Sequence, residues 1–89
     1  MTNRFNDTQV FREQRFSIGV DSQTKGYFLA IPVANQMVDY EEYYRLSLDQ
    51  FALFSKDIIA GSAFAERCRA RANDTLIILP PGTDRGEPL

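Results

Sequence analysis

Nine residues, VDYEEYYRL from Val38 to Leu46, hold three of the chain's four tyrosines together with Asp39, Glu41 and Glu42. Carboxylates set beside phenolic hydroxyls can bind a cation or exchange protons as acid and base. Spacing decides how many can act together. In a strand, successive side chains point to opposite faces. Glu41 and Glu42 therefore diverge, and Asp39 and Glu41 are same-face neighbours. Val38, Tyr40, Glu42, Tyr44 and Leu46 share the other face. Most of the segment then reads as a strand with one solvated side. Glu42 is the exception, because it stands between two tyrosines on an otherwise apolar face. A buried carboxylate needs a partner.

The candidates for that partner are a tyrosyl hydroxyl, a bulge that turns Glu42 outward, or an arginine from ERCRARAN. Residues two apart on a helix diverge by about 200°, whereas Arg67 and Arg71 share a side. A candidate ligand pocket between sheet and helix thus comprises Tyr40, Glu42, Tyr44, Arg67 and Arg71. The alternative for the arginines is a solvated helix end, where the dipole favours cations.

Other chemistry is scarce. Cys68 is the single cysteine and falls on an apolar helical arc, where a free thiol behaves as a small hydrophobe. There is no histidine, which removes His-based triads and His-ligated zinc. PPGTDRG has no phosphate-loop spacing and reads as turn chemistry. No cofactor or metal site is expected. Ten basic and twelve acidic residues give a net charge of −2, which argues against nucleic acid as the partner. No apolar run approaches the roughly 20 residues of a membrane span, and the start lacks a signal-peptide core. The expectation is a cytoplasmic, bacterial-type single-domain protein with no membrane partner.

The elements that must position these residues follow from periodicity. Residues 1–12 are polar with isolated Phe5, Val10 and Phe11, and read as a flexible arm. RFSIGVD alternates, with Phe16, Ile18 and Val20 on one face. YFLAIPVA is apolar on both faces, and Pro32 implies an edge or a bulge. The tyrosine segment is the third strand. SLDQ resembles a capping box, with Ser47 as N-cap and Gln50 at N3. It opens a helix, one element or two tightly linked ones, to about Ala72, with Phe51, Phe54, Ile58, Gly61, Ala65, Cys68 and Ala72 on one arc. Gly61 marks a kink or a close approach of helix to sheet, and Asn73 ends the helix. Thr75–Leu79 is the last strand, parallel to the first and third by a right-handed crossover. The fold class is α+β: a three-stranded antiparallel meander, one long helix on one face, and a fourth C-terminal strand (βββαβ). Residues 13–80 form the domain and 81–89 a turn and tail.

One helix covers one sheet face, so Phe28, Ala30 and Pro32 are left needing a cover. An uncovered apolar face is an association site, and two-fold dimers are the commonest assemblies. The functional expectation is a non-catalytic interaction or regulatory module, homodimeric through Phe28, Ala30 and Pro32, or bound to another protein. A small enzyme or small-molecule binder using the Glu42 pocket is the alternative.

Overall fold

A computed structural model describes residues 3–82 and 84–89. Four strands precede the helices: β1 Phe5–Phe11, β2 Phe16–Asp21, β3 Gly26–Ala34 and β4 Asp39–Leu46. They form an antiparallel sheet in that order. Helices α1 (Leu48–Lys56) and α2 (Ile58–Arg69) follow, then a 3-10 turn, Asp74–Leu76, and a two-residue strand β5, Glu87–Pro88, which pairs with β3. The class is α+β, as the periodicity predicts, but the βββαβ order is corrected at three points.

The first correction is at the N-terminus. Phe5–Phe11, read as part of an arm, is strand β1, paired with β2 from Phe5↔Asp21 to Phe11↔Phe16. Its polar run NDTQ hides the alternation, and a bulge between Asp7 and Gln9 breaks it. The Thr8 hydroxyl donates to the Ile18 carbonyl at this bulge. β1 bends across the sheet. The Phe5 ring stacks on Tyr43 at 3.8 Å and meets Phe28 edge-on at 5.4 Å. Phe28 is 0% exposed and Ala30 is buried, within one chain.

The second correction concerns the helix. It is two helices, broken at Asp57, whose backbone is extended at φ −129°. Asp57 closes α1 through its N–H and starts α2 by accepting from the Ile59 and Ala60 N–H groups. The apolar spacing of the sequence continues past this break through Ile58, so periodicity does not reveal it; Ile58 itself, read on the buried arc, is 38% exposed because it opens α2 beside the break. The capping box at Ser47 and Gln50 is present. Gly61 marks close packing, since a Cβ there would meet the Phe16 ring at 2.8 Å. The left-handed residue that ends α2 is Arg71 (φ 62°), not Asn73 (φ −108°). The Ala72 N–H donates to Arg67 and the Arg71 N–H to Cys68, a Schellman closure.

The third correction is the last strand. The helical segment is a pair of helices and not a single crossover helix, and the chain that leaves it meets the sheet in the antiparallel sense. Ile77 makes an isolated antiparallel bridge to Tyr44, beside β4, and Pro80 and Pro81 follow. The segment read as a tail instead returns to the sheet. β5 continues along β3 where β2 has ended, and the Leu89 N–H donates to the Pro32 carbonyl. The missing N–H of Pro32 therefore costs no ladder bond to a long neighbouring strand.

The face assignments of the strands hold. Phe16, Ile18, Leu29, Ile31, Val33, Tyr44 and Leu46 form the core beneath Phe54, Ala65 and Cys68, with Phe51 and Phe64 packed around them. On the second face Gly19 allows β1 its close approach: a Cβ there would lie 2.1 Å from the Asn6 carbonyl oxygen. Gly19→Ala is expected to cost about 3 kcal/mol, the upper end of overpacking penalties, in urea unfolding. It should also speed amide exchange in β1 before the rest of the sheet.

Candidate functional site

β4 places Tyr40, Glu42 and Tyr44 on the helix-covered face, as alternation requires. Glu42 is 5% exposed. Its Oε1 accepts the Tyr44 hydroxyl at 2.7 Å, so one of the two anticipated partners is present. The arginine is neither Arg67 nor Arg71 but Arg85, in the segment read as a tail. Arg85 Nε donates to Glu42 Oε2 at 2.8 Å and Nη2 donates to Oε1 at 3.1 Å. The same guanidinium donates to both oxygens of Asp74, at 2.8 and 2.9 Å. The Tyr40 hydroxyl accepts the Gly86 N–H at 2.6 Å. The Asn35 side chain, which also turns the chain between β3 and β4, donates to the Asp84 carbonyl.

Arg67 is exposed. Arg69 ties α2 to the β1–β2 turn through the Gln14 and Arg15 carbonyls, and Arg71 lies 3.4 Å from Glu87. The candidate pocket is thus assembled at Tyr40, Glu42 and Tyr44, and filled by Arg85 instead of a ligand. No periodic signal marks Arg85, because it stands among turn residues. The usable signal was the unmatched charge of Glu42 itself.

The electrostatics are those of a closed clamp. Hydrogen bonding to Asp74 and Glu42 holds the Arg85 guanidinium above its ordinary pKa, and the same contact lowers Asp74. Burial, then the hydrogen bond to Glu42, pushes the Tyr44 phenol upward. Every oxygen of the two carboxylates is engaged, which leaves no free base. Cys68 is buried, takes a contact from Asn73 Nδ2 at 3.6 Å, and is pushed up to about 12 by burial, so it remains a thiol. Open clefts of about 430 and 520 Å³ flank the clamp, one beside Tyr40 and Glu41, the other between Asn35–Met37 and Asp84–Glu87. Among the described residues, no group of three or more His, Cys, Asp or Glu stands close enough to hold a metal ion.

A second polar hub escaped the sequence reading. Asp21, 1% exposed, takes both Arg4 Nε and Nη2, the Thr24 hydroxyl and the Gln23 N–H. It fastens β1 to the β2–β3 turn. These bonds, the one to Arg4 foremost, hold its carboxyl at about 2 against the opposing effect of burial.

Comparison of the chain with protein-family models, curated proteins and solved structures finds no match.

Arg85→Met strands two carboxylates, one of them buried. It is expected to cost about 3–5 kcal/mol in urea unfolding, the range for breaking a buried ion pair. Arg85→Met combined with Glu42→Gln should recover part of that loss, a coupling read from the double-mutant cycle. The pH dependence follows from the lowered carboxylates. Asp21 contributes fully above its unfolded value of about 4, and that contribution fades as pH falls towards its folded value of about 2. Asp74, also lowered, acts in the same direction. Thermal stability should therefore drop on acidification below about pH 4, and Asp21→Asn should flatten that drop.

Proposed function

We propose that the protein is a non-catalytic interaction module that works as a homodimer through the outer face of its helix pair. The supporting observation is the apolar character of that face. α1 and α2 bury Phe54, Gly61, Ala65 and Cys68 against the sheet and leave Leu48, Leu53, Ile58 and Ile59 exposed, Ile59 by 79%. Ala52 and Ala63 are exposed with them. Four large aliphatic residues exposed on two consecutive short helices support an association surface there.

A second copy of the chain is the fitting occupant. The charged residues among these positions are of both signs, with Asp49 and Asp57 on either side of Lys56 in sequence. A two-fold axis can set each Lys56 near an acid of the other copy, so the surface complements itself. The face formed by Phe28, Ala30 and Pro32 suits this role less, because Phe28 packs against Phe5, Ala30 is buried within one chain, and only Pro32 is left half-buried beside a cleft of about 210 Å³. The clamp on Glu42 and the protonated Cys68 favour binding over catalysis as the function.

Sedimentation equilibrium at micromolar concentration should give twice the chain mass of 10.2 kDa. Ile59→Glu, on an exposed position, should shift the protein to monomer without loss of helix content. A concentration-independent wild-type mass of 10.2 kDa would sink the homodimer.

A further inference from the structure

β4 is the last strand of the sheet, and part of its outer edge has no neighbouring strand among the described residues. The Ile78 N–H donates to the Tyr43 carbonyl at 2.8 Å, so the backbone of Tyr43 points away from β3. In an antiparallel strand the N–H and C=O of one residue point to one side, and the side alternates along the chain. Glu41 and Asp39 therefore point outward too, while Tyr40, Glu42 and Tyr44 bond to β3. The Leu89 donation to Pro32, opposite Glu41 in the register, agrees with this phase. Among the described residues no backbone group pairs with the outward N–H and C=O groups of Asp39 and Glu41.

The chain's own continuation cannot fill this edge. Extending the Tyr44↔Ile77 bridge would set Leu79 opposite Glu42 and Pro80 opposite Glu41. Proline has no N–H to give a ladder, and the cleft of about 430 Å³ lies here, with Tyr40, Glu41, Leu79 and Pro80 among its walls. Self-pairing is also disfavoured. Asp39 and Glu41 are exposed, and neither has an ion pair among the described residues. Two copies meeting edge to edge would bring these like charges together, which destabilises a strand pair. The nearby clamp adds to the negative field, since Glu42 and Asp74 outnumber Arg85 by one charge.

We propose that this edge, Asp39 to Glu42, receives an extended segment of another protein as an added strand, with lysine or arginine alternating with apolar side chains. The outward backbone groups supply the ladder. The basic side chains fall on the face of Asp39 and Glu41, and the intervening apolar ones against Tyr40 and Leu79. This surface is separate from the helix face of the proposed homodimer.

The probe is an end-capped hexapeptide of alternating lysine and valine, with a glutamate–valine hexapeptide as control, followed by ¹⁵N–¹H spectra and amide exchange on the full chain. The lysine–valine peptide should shift the amides of Asp39 to Glu42 saturably and slow exchange at Asp39 and Glu41 by about tenfold or more. Binding should weaken as salt is raised. Asp39→Lys with Glu41→Lys, both at exposed positions, should cut affinity by about tenfold or more with an unchanged circular dichroism spectrum. Ile59→Glu should bind the probe as the wild type does, so failure of the homodimer and failure of this site are read separately. No protection of Asp39 and Glu41 at millimolar probe, equal binding of the glutamate peptide, or an affinity indifferent to the double charge reversal would overturn the proposal.

Discussion

A carboxylate placed on the helix-covered face of a sheet carries a desolvation penalty of several kcal/mol unless it is matched by charge and hydrogen bonds. Glu42 is in that position, and the chain after α2 is arranged around matching it. The Schellman closure at Arg71 turns the chain back and sets Asp74 at the start of a 3-10 turn. Arg85 then enters between Glu42 and Asp74 as a double fork. Its neighbour Gly86 passes so close to β3 that a Cβ would lie 2.6 Å from the Ala34 carbonyl. That approach lets β5 pair with β3. A terminal segment rich in proline and glycine, with little propensity for regular structure, is thereby held by the Arg85 guanidinium together with the Tyr40–Gly86, Asn35–Asp84 and Leu89–Pro32 bonds.

The opposite face has its own closure, by different means. Here no charge sits at the centre; apolar area does. Phe28 would stand in water were β1 not drawn over it, and the aromatic trio of Phe5, Phe28 and Tyr43 supplies the contact. Arg4 and Asp21 anchor the start of that strand, Thr8 bulges it, and Gly19 gives it room. Phe5 carries that cover, since Phe11 stacks on Phe16 at the helix-side core and Val10 is 54% exposed, so the side chains of the whole segment need not be apolar. An 89-residue domain has little apolar surface to spare, and this one covers most of both sheet faces within one chain, leaving a cleft of about 210 Å³ beside Ala30, Pro32 and Glu41.

With both polar hubs saturated and both sheet faces largely covered, what remains for recognition is chiefly the exterior. It offers two surfaces of opposite character. The helix pair presents aliphatic side chains with charges of both signs, which suits a copy of itself. The β4 edge presents unpaired backbone and acids alone, which repels a copy of itself and suits a basic strand. Chemistry at a reactive group has no comparable support, because the strongest candidates, Glu42 and Cys68, are respectively clamped and buried.

The sequence by itself determined the α+β class, the faces of three strands, the capping box at Ser47 and the need of Glu42 for a counter-charge. All of these rest on local periodicity or on the chemistry of one residue, which the chain carries wherever it goes. It did not reveal β1, whose alternation is masked by NDTQ and a bulge. Nor did it show the break at Asp57, because the apolar spacing continues past it in the sequence although Ile58 ends up exposed. Arg67 and Arg71 were the natural partners for Glu42 because they lie on a helix with the right spacing. Arg85 wins because the closure after α2 and the prolines after Ile77 bring a distant, aperiodic segment back against β4. Which charge meets which across 43 residues, and which strand bends over which face, are matters of chain path. Path is decided by packing among all elements at once, so only the tertiary structure could settle them.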